Sequence, residues 1–318
     1  MKTITIPGTD LTVSQVALGT VQFGAGIPAE TAYTLMDRFV QHGGNLIDSA
    51  RVYACWMPDG ANASEKTIGA WMKRRGLRDQ MVISTKGAHP DLKTMHISRM
   101  SRDDIMADVD ESLHYLDIDS IDLYWLHRDD STLPVGDILE TLNELVQAGK
   151  IRYFGASNWS TARIQEANDY AQEHDLQGFV ANQPRWSLAE PNQEHIGDKT
   201  TKVLDAEGLA YHRETSLALL AYTSQAGGYF TKRAESRLNE SDKSRYDNPI
   251  NLARFDRAQE LAQRHDVTVT AIPLAYLTSQ SFPVVAIIGP RTIEQLEGSL
   301  GHIDLTLTPD EVAHLENG

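Results

Sequence analysis

Eight short apolar runs recur along the chain: Val16–Gly19, Asn45–Asp48, Met81–Lys86, Ile121–His127, Ile151–Ser157, Phe179–Gln183, Ser216–Tyr222 and Val284–Gly289. Amphipathic stretches with helical spacing lie between them. Strands that alternate with helices imply parallel pairing through right-handed crossovers, and a unit of about 30 residues fits one closed cylinder. A doubly wound sheet is the competing architecture. It would want a glycine-rich turn after its first strand, and VALGTVQFGAG carries Gly19, Gly24 and Gly26 without the G-x-G-x-x-G spacing. The expectation is therefore an α/β chain forming one domain over residues 1–318, a (β/α)8 barrel.

Helix boundaries are readable in several places. Ser101 precedes RDDIMADVDESLHYL, where Ile105, Val109, Leu113 and Leu116 share a face and Asp103 and Asp104 place acid in the first turn. Pro134 suits the first turn of the next helix and Gly149 its C-terminal end; Gly43-Gly44 stops a helix that begins near Ala29. Ser160 reads as an N-cap, and Thr308-Pro309-Asp310-Glu311 as a capping box before a last short helix. The opening KTITIPGTDLTVS alternates apolar and polar residues around a turn, the pattern of a β-hairpin, and in a barrel it caps the bottom, opposite the loops that follow the strands. Residues 224–250, rich in Gly, Ser, Lys, Arg and Asn, read as a mobile loop after the seventh strand.

The formal net charge of −15 and the pI near 5.1 argue against a nucleic-acid partner, which needs clustered Lys and Arg. The single cysteine, Cys55, excludes an intrachain disulfide and fits a reducing compartment. No apolar run approaches the roughly 20 residues of a membrane span, and the N-terminus lacks the apolar core of a signal peptide, so a cytoplasmic protein without a membrane partner is expected.

The polar residues gather at the ends of the runs: Asp48, Lys86, His127, Ser157-Asn158, Gln183 and Tyr222. In a parallel barrel these ends share one rim. An apolar run such as MVIST should not end on a buried ammonium unless a carboxylate partners it, and Asp48 is the obvious partner. Tyr53 follows five residues after Asp48. A phenol with an ordinary pKa near 10 is a poor proton donor, and a nearby ammonium lowers that value, so Asp48, Lys86 and Tyr53 read as a tuned general acid. His127 can supply a second hydrogen bond to an oxygen that gains negative charge. The first strand carries no His pair, so no metal is expected.

The segments DSARVY (48–53), STK (84–86), DLYWLH (122–127), GASN (155–158), NQ (182–183), AY (221–222) and IGPR (288–291) resemble, in order and spacing, the aldo-keto reductases, and the resemblance spans nearly the whole chain. It implies a TIM barrel that binds a nicotinamide cofactor without a Rossmann motif and reduces a small-molecule aldehyde or ketone. Tyr53 would protonate the carbonyl oxygen, Lys86 with Asp48 would tune it, and His127 would orient the carbonyl. Tyr222 would stack on the nicotinamide, with Ser157, Asn158 and Gln183 on its carboxamide. Gly19 and Thr20 at the first strand end, Asp48 at the second, and Thr223, Gln225 and Gly228 in the loop TSQAGGYFTK would line the rest of the cofactor path. Gly289, Arg291 and Gln295 would take the adenosine end, and a guanidinium at Arg291 favours NADP(H) over NAD(H).

Two departures from the family pattern stand out. Gly298-Ser299 replace the Glu-Asn pair that often contacts adenine, and ACWMPDGANASE delays Glu65, where relatives tend to read Y-G-x-x-E, inserting residues beside the substrate pocket. Phe23, Trp56 and Trp159, with Arg128 for an acidic or polar group, are the candidates for contacting substrate. Two other functions keep the barrel: a lyase with Lys86 as Schiff-base nucleophile, and a nucleotide-binding regulator with little turnover.

Overall fold

The computed structural model describes residues 1–317. The hairpin comes first, with strand β1 (Thr3–Thr5) antiparallel to β2 (Thr12–Ser14). Eight parallel strands follow: β3 (Val16–Gly19), β4 (Leu46–Asp48), β5 (Val82–Gly87), β6 (Ile121–Leu126), β7 (Ile151–Ser157), β8 (Ala181–Gln183), β9 (Ala218–Ala221) and β10 (Val284–Ile288). They close in sequence order, with β10 pairing β3, so the (β/α)8 TIM barrel is the observed fold. Helices α1 (Ala29–Gln41), α2 (Ala63–Arg75), α3 (Arg102–Leu116), α4 (Val135–Gln147), α5 (Thr161–Glu173) and α6 (Ala206–Thr215) each follow one strand. The seventh and eighth connections and the tail carry α7 (Tyr229–Ala234), α8 (Glu240–Tyr246), α9 (Pro249–Arg264), α10 (Ala271–Thr278), α11 (Ile293–Leu300) and α12 (Pro309–Asn317).

Strand periodicity of two sorts the side chains into two cores. Ala17, Leu46, Leu123, Trp125, Ala181, Ala218, Leu220, Val285 and Ile287 fill the cylinder, and Ile6, Leu11 and Val13 of the hairpin join them from below. The hairpin is thus the floor of the barrel. Ile47, Ile83, Tyr124, Phe154 and Leu219 point the other way, into the layer between strands and helices. Gly155 makes room inside the cylinder: a Cβ there would lie 2.4 Å from the Trp125 ring.

The caps form as their side chains dictate. Ser101 accepts the Asp104 N–H, Ser160 accepts the Arg163 N–H, and Thr308 and Glu311 exchange bonds in a capping box. Gly43 and Gly149 take positive φ just past their helices. Pro134 is the residue before α4 rather than its first turn. Residues 224–250 depart from the expected loop: they contain α7, α8 and the start of α9. Asn239 and Asp242 form a capping box, Asn248 caps α9, and Tyr229, Phe230 and Tyr246 are buried. Arg291 precedes α11, whose N-cap is Thr292. Among the described residues no helix is long and apolar enough to cross a membrane.

Candidate active site

The alternation that buries Leu46 and Leu123 carries Asp48, two residues further along β4, and His127, the residue just past the end of β6, onto the inner face at the C-terminal rim. Lys86 reaches the same place from β5. Its Nζ donates to Asp48 Oδ2 at 2.5 Å, to the Ser49 carbonyl at 2.7 Å and to Tyr53 Oη at 3.0 Å, so each N–H of the ammonium has an acceptor. Asp48 Oδ1 accepts from Ser84 Oγ at 2.8 Å and from Gln183 Nε2 at 3.0 Å. Asp48 and Lys86 are each 1% exposed, which is why the apolar run of β4 can end on a charge.

Tyr53 sits in the connection from β4 to α2. Backbone bonds from Ser49 N to the Ser84 carbonyl and from Arg51 N to the Lys86 carbonyl fasten that connection to β5. Arg51 also pairs with Asp108 and Glu111 of α3, and Asn62 donates to Glu111 from the far end of the insertion. The phenol is therefore held from both sides of the loop. The His127 ring meets the Tyr53 ring edge-on at 6.0 Å and the His89 ring edge-on at 4.8 Å.

The electrostatics correct one expectation. Removal from water pushes the Tyr53 phenol above its ordinary pKa; the Lys86 ammonium pulls it back and Asp48 adds to the rise, with the balance upward. Tyr53 therefore holds its proton through the neutral range. Burial works against the Lys86 cation, but Asp48 and Tyr53 outweigh it and keep the amine above the ordinary lysine value. A protonated amine with all three N–H groups engaged is a poor Schiff-base nucleophile. Burial, and then the charge of Arg128, hold His127 well below the ordinary imidazole value, so it is neutral and offers one N–H; its Nδ1 has no partner among the described residues.

The residues expected along the cofactor path lie on the same rim. Ser157 Oγ donates to the Gln183 carbonyl at 2.8 Å. Asn158, at φ 64°, turns its amide back to donate to the His127 carbonyl and accepts from Tyr222 Oη at 2.7 Å. Thr20 is fully buried: its hydroxyl bonds the Asp48 carbonyl at 2.9 Å and Ser64 at 2.7 Å, its N–H donates to the Asp48 carbonyl at 3.1 Å, and its carbonyl accepts from Phe23 N and Ser64 Oγ, each at 3.0 Å. Gly19 packs beside Ile287 and Ile288. Beyond Thr223, which has positive φ, Gly227 and Gly228 also have positive φ, and Gln225 bonds Ser299 of α11 at 3.1 Å. A Cβ added at Gly227, Gly289 or Gly298 would meet nothing within 4 Å, so backbone here lies open to an incoming group. Arg291 is exposed and its guanidinium makes no ion pair or hydrogen bond among the described residues, while Gln295 Oε1 accepts its backbone N–H at 2.8 Å. This set of donors, open backbone and a free cation fits a dinucleotide phosphate.

The substrate candidates divide. Phe23, 1% exposed, and Trp159, 3% exposed, belong to the core; Trp159 donates to the Arg128 carbonyl and packs on Phe179. Arg128 is not available to an acidic group, because its guanidinium is already bonded to Asp198, Thr200 and the His127 carbonyl. Trp56, 51% exposed, remains at the rim.

Ser84, His89, Glu65 and Asp198 did not emerge from the sequence as site residues. Ser84 was within reach, since it lies two residues before Lys86 on one strand face. Glu65 of α2 is fully buried; its Oε1 accepts from Thr85 Oγ1 at 2.6 Å and its Oε2 has no partner among the described residues. Burial raises its carboxyl to about 7. Nothing in the local pattern around Asp198 marks it.

Comparison with known proteins gives a consistent result. Residues 15–317 match the profile described as Aldo/keto reductase family. The chain is 30% identical over 324 residues to norsolorinic acid reductase stcV of Emericella nidulans, covering 98% of this chain and 79% of that protein. It is 29% identical to the probable aryl-alcohol dehydrogenase AAD4 of Saccharomyces cerevisiae, covering 91% of this chain and 87% of that protein. An oxidoreductase of Bacillus subtilis, YrpG, is 28% identical, with 94% and 90% covered.

Three substitutions test the energetics of the site. Lys86→Met leaves the Asp48 carboxylate buried without its cation and should lower stability by roughly 3–5 kcal/mol, whereas adding Asp48→Asn should recover part of that loss; urea unfolding midpoints measure both. Glu65→Gln tests the buried carboxyl. With a folded pKa of about 7 against a model-peptide 4.5, Glu65 costs nothing below pH 4.5, and its cost grows as pH rises to about 7. The variant should therefore match the parent in acid and exceed it by roughly 3 kcal/mol near pH 8, read from unfolding curves across pH.

Proposed function

The chain belongs to the aldo/keto reductase family, and from that premise we propose that it is an NADPH-dependent reductase of aldehydes or ketones with Tyr53 as the proton donor. The observation that carries the reading is Lys86 Nζ bonded at once to the Asp48 carboxylate and to Tyr53 Oη at the open end of the barrel. A reduced nicotinamide cofactor, when bound, would supply the hydride for the carbonyl carbon. Tyr53 gives its Oη proton to the carbonyl oxygen, and the Lys86 ammonium stabilises the phenolate left behind until solvent reprotonates it. Neutral His127 donates its N–H to the same oxygen, which draws negative charge off the developing alkoxide. Asp48, fixed by Ser84 and Gln183, holds Lys86 in place rather than meeting substrate.

Arg291 supports NADP(H) over NAD(H): an unpaired guanidinium before the N-terminus of α11 lies at the positive end of the helix dipole and gains most from a phosphate dianion. Ser157, Asn158, Gln183 and Tyr222 would hold the nicotinamide, with Thr223, Gln225, Gly228, Gly289 and Gln295 along the phosphates and adenosine. The relatives named aryl-alcohol dehydrogenases favour an aromatic carbonyl substrate.

Tyr53→Phe should cut NADPH-dependent reduction of a reactive aryl aldehyde by roughly 10²–10⁴-fold while leaving NADPH binding, followed by fluorescence, unchanged; full turnover would refute the role of Tyr53. Arg291→Ala should raise KM for NADPH by roughly 10–100-fold and leave KM for NADH nearly untouched. Equal effects on the two cofactors would remove the case for the 2′-phosphate contact.

A further inference from the structure

The connection from β8 to α6 ties back onto the ends of neighbouring strands. Lys202 N donates to Asn158 Oδ1 at 3.1 Å, and Arg185 exchanges backbone bonds with Lys202 and Leu204, each at 3.0 Å. This places Asp198 against Arg128, the residue after His127. Arg128 Nη2 donates to Asp198 Oδ2, Nε to Thr200 Oγ1 and Nη1 to the His127 carbonyl, each at 2.7 Å. The second Asp198 oxygen accepts from Thr200 N at 2.9 Å and from Thr200 Oγ1 at 2.6 Å. The Arg128 side chain is 10% exposed and that of Asp198 40% exposed.

Arg128 is part of the wall of the site. Its charge acts on His127, His89, Tyr53 and Tyr222, side chains delivered by four different strand ends. A guanidinium in this position, left free, is a ready receptor for a carboxylate on a substrate whose carbonyl lies at Tyr53 and His127. Asp198 fills that role from within the chain. The connections after β4 and β5 add exposed apolar side chains, Trp56, Leu92, Met95 and Ile97, to the same end of the barrel.

We propose that Asp198 is a specificity determinant: an internal counter-anion that occupies the Arg128 guanidinium, so that the site selects uncharged, apolar carbonyl compounds and rejects carboxylated ones. The inference rests on the reductase reading above and concerns which carbonyl compounds that site accepts. An arriving carboxylate would have to displace a charge-assisted bond of the kind it would form and would meet the negative charge of Asp198 as it approached. No rearrangement of the rim is needed for the selection.

The test compares para-carboxybenzaldehyde with para-methylbenzaldehyde under saturating NADPH in the parent, Asp198→Asn and Asp198→Ala. Asn keeps an oxygen for the Thr200 bonds and removes only the charge; Ala removes both. The parent should prefer the methyl compound. In Asp198→Asn the ratio of kcat/KM should move toward the carboxylate by roughly tenfold or more, mainly through KM. Calorimetric binding of benzoate to the NADPH complex should tighten in parallel, with benzamide unchanged. Turnover of the methyl compound in all three proteins, with an unchanged ratio and unchanged benzoate affinity, would overturn the proposal. Absence of turnover on both aldehydes in the parent would instead count against the reductase reading, and the benzoate and benzamide titrations would still decide the role of Asp198.

Discussion

A lysine and an aspartate, each taken out of water, meet at the mouth of this barrel, and the surrounding rim is arranged around that meeting. Neither charge is tolerable alone at this depth, since an unpaired buried ion costs several kcal/mol. Together they require a full set of partners, and the chain provides one from every side: Ser84 from the strand of Lys86, Gln183 from across the cylinder, the Ser49 carbonyl from the next turn, and Tyr53. The phenol completes the coordination of the ammonium. One set of bonds thus satisfies the buried charges and holds the Tyr53 phenol firmly although it sits in a loop.

Much of this was legible in the sequence because strands obey a period of two. Once β4, β5 and β6 are recognised, their inner faces follow, and Asp48, Lys86 and His127 fall on the same side as Leu46, Ser84 and Trp125 with no further information. The caps were equally local: Ser101, Ser160 and the Thr308–Glu311 box act within one turn of their own helices. The region 224–250 has the polar composition of a loop, while its helices are held by buried Tyr229, Phe230 and Tyr246, contacts that only the fold supplies.

The other corrections share a cause. Phe23 and Trp159 lie in segments that follow strands, yet a large ring near the rim can turn inward, and packing decided against solvent. Arg128 looked free because its partner, Asp198, is 70 residues away on another connection. The direction of the Tyr53 shift is hidden for a related reason: sequence shows which charges are near one another but not how much water is excluded, and here desolvation outweighs the ammonium. Long-range pairing and local dryness are the two quantities that residue order does not carry.

The hairpin floor has a practical side. Because Ile6, Leu11 and Val13 seal the cylinder at its base, the amino end of the chain leaves from the pole opposite the chemistry. A protein tethered to a bead or electrode through that end would turn the rim that holds Asp48, Lys86 and Tyr53 toward the bulk liquid.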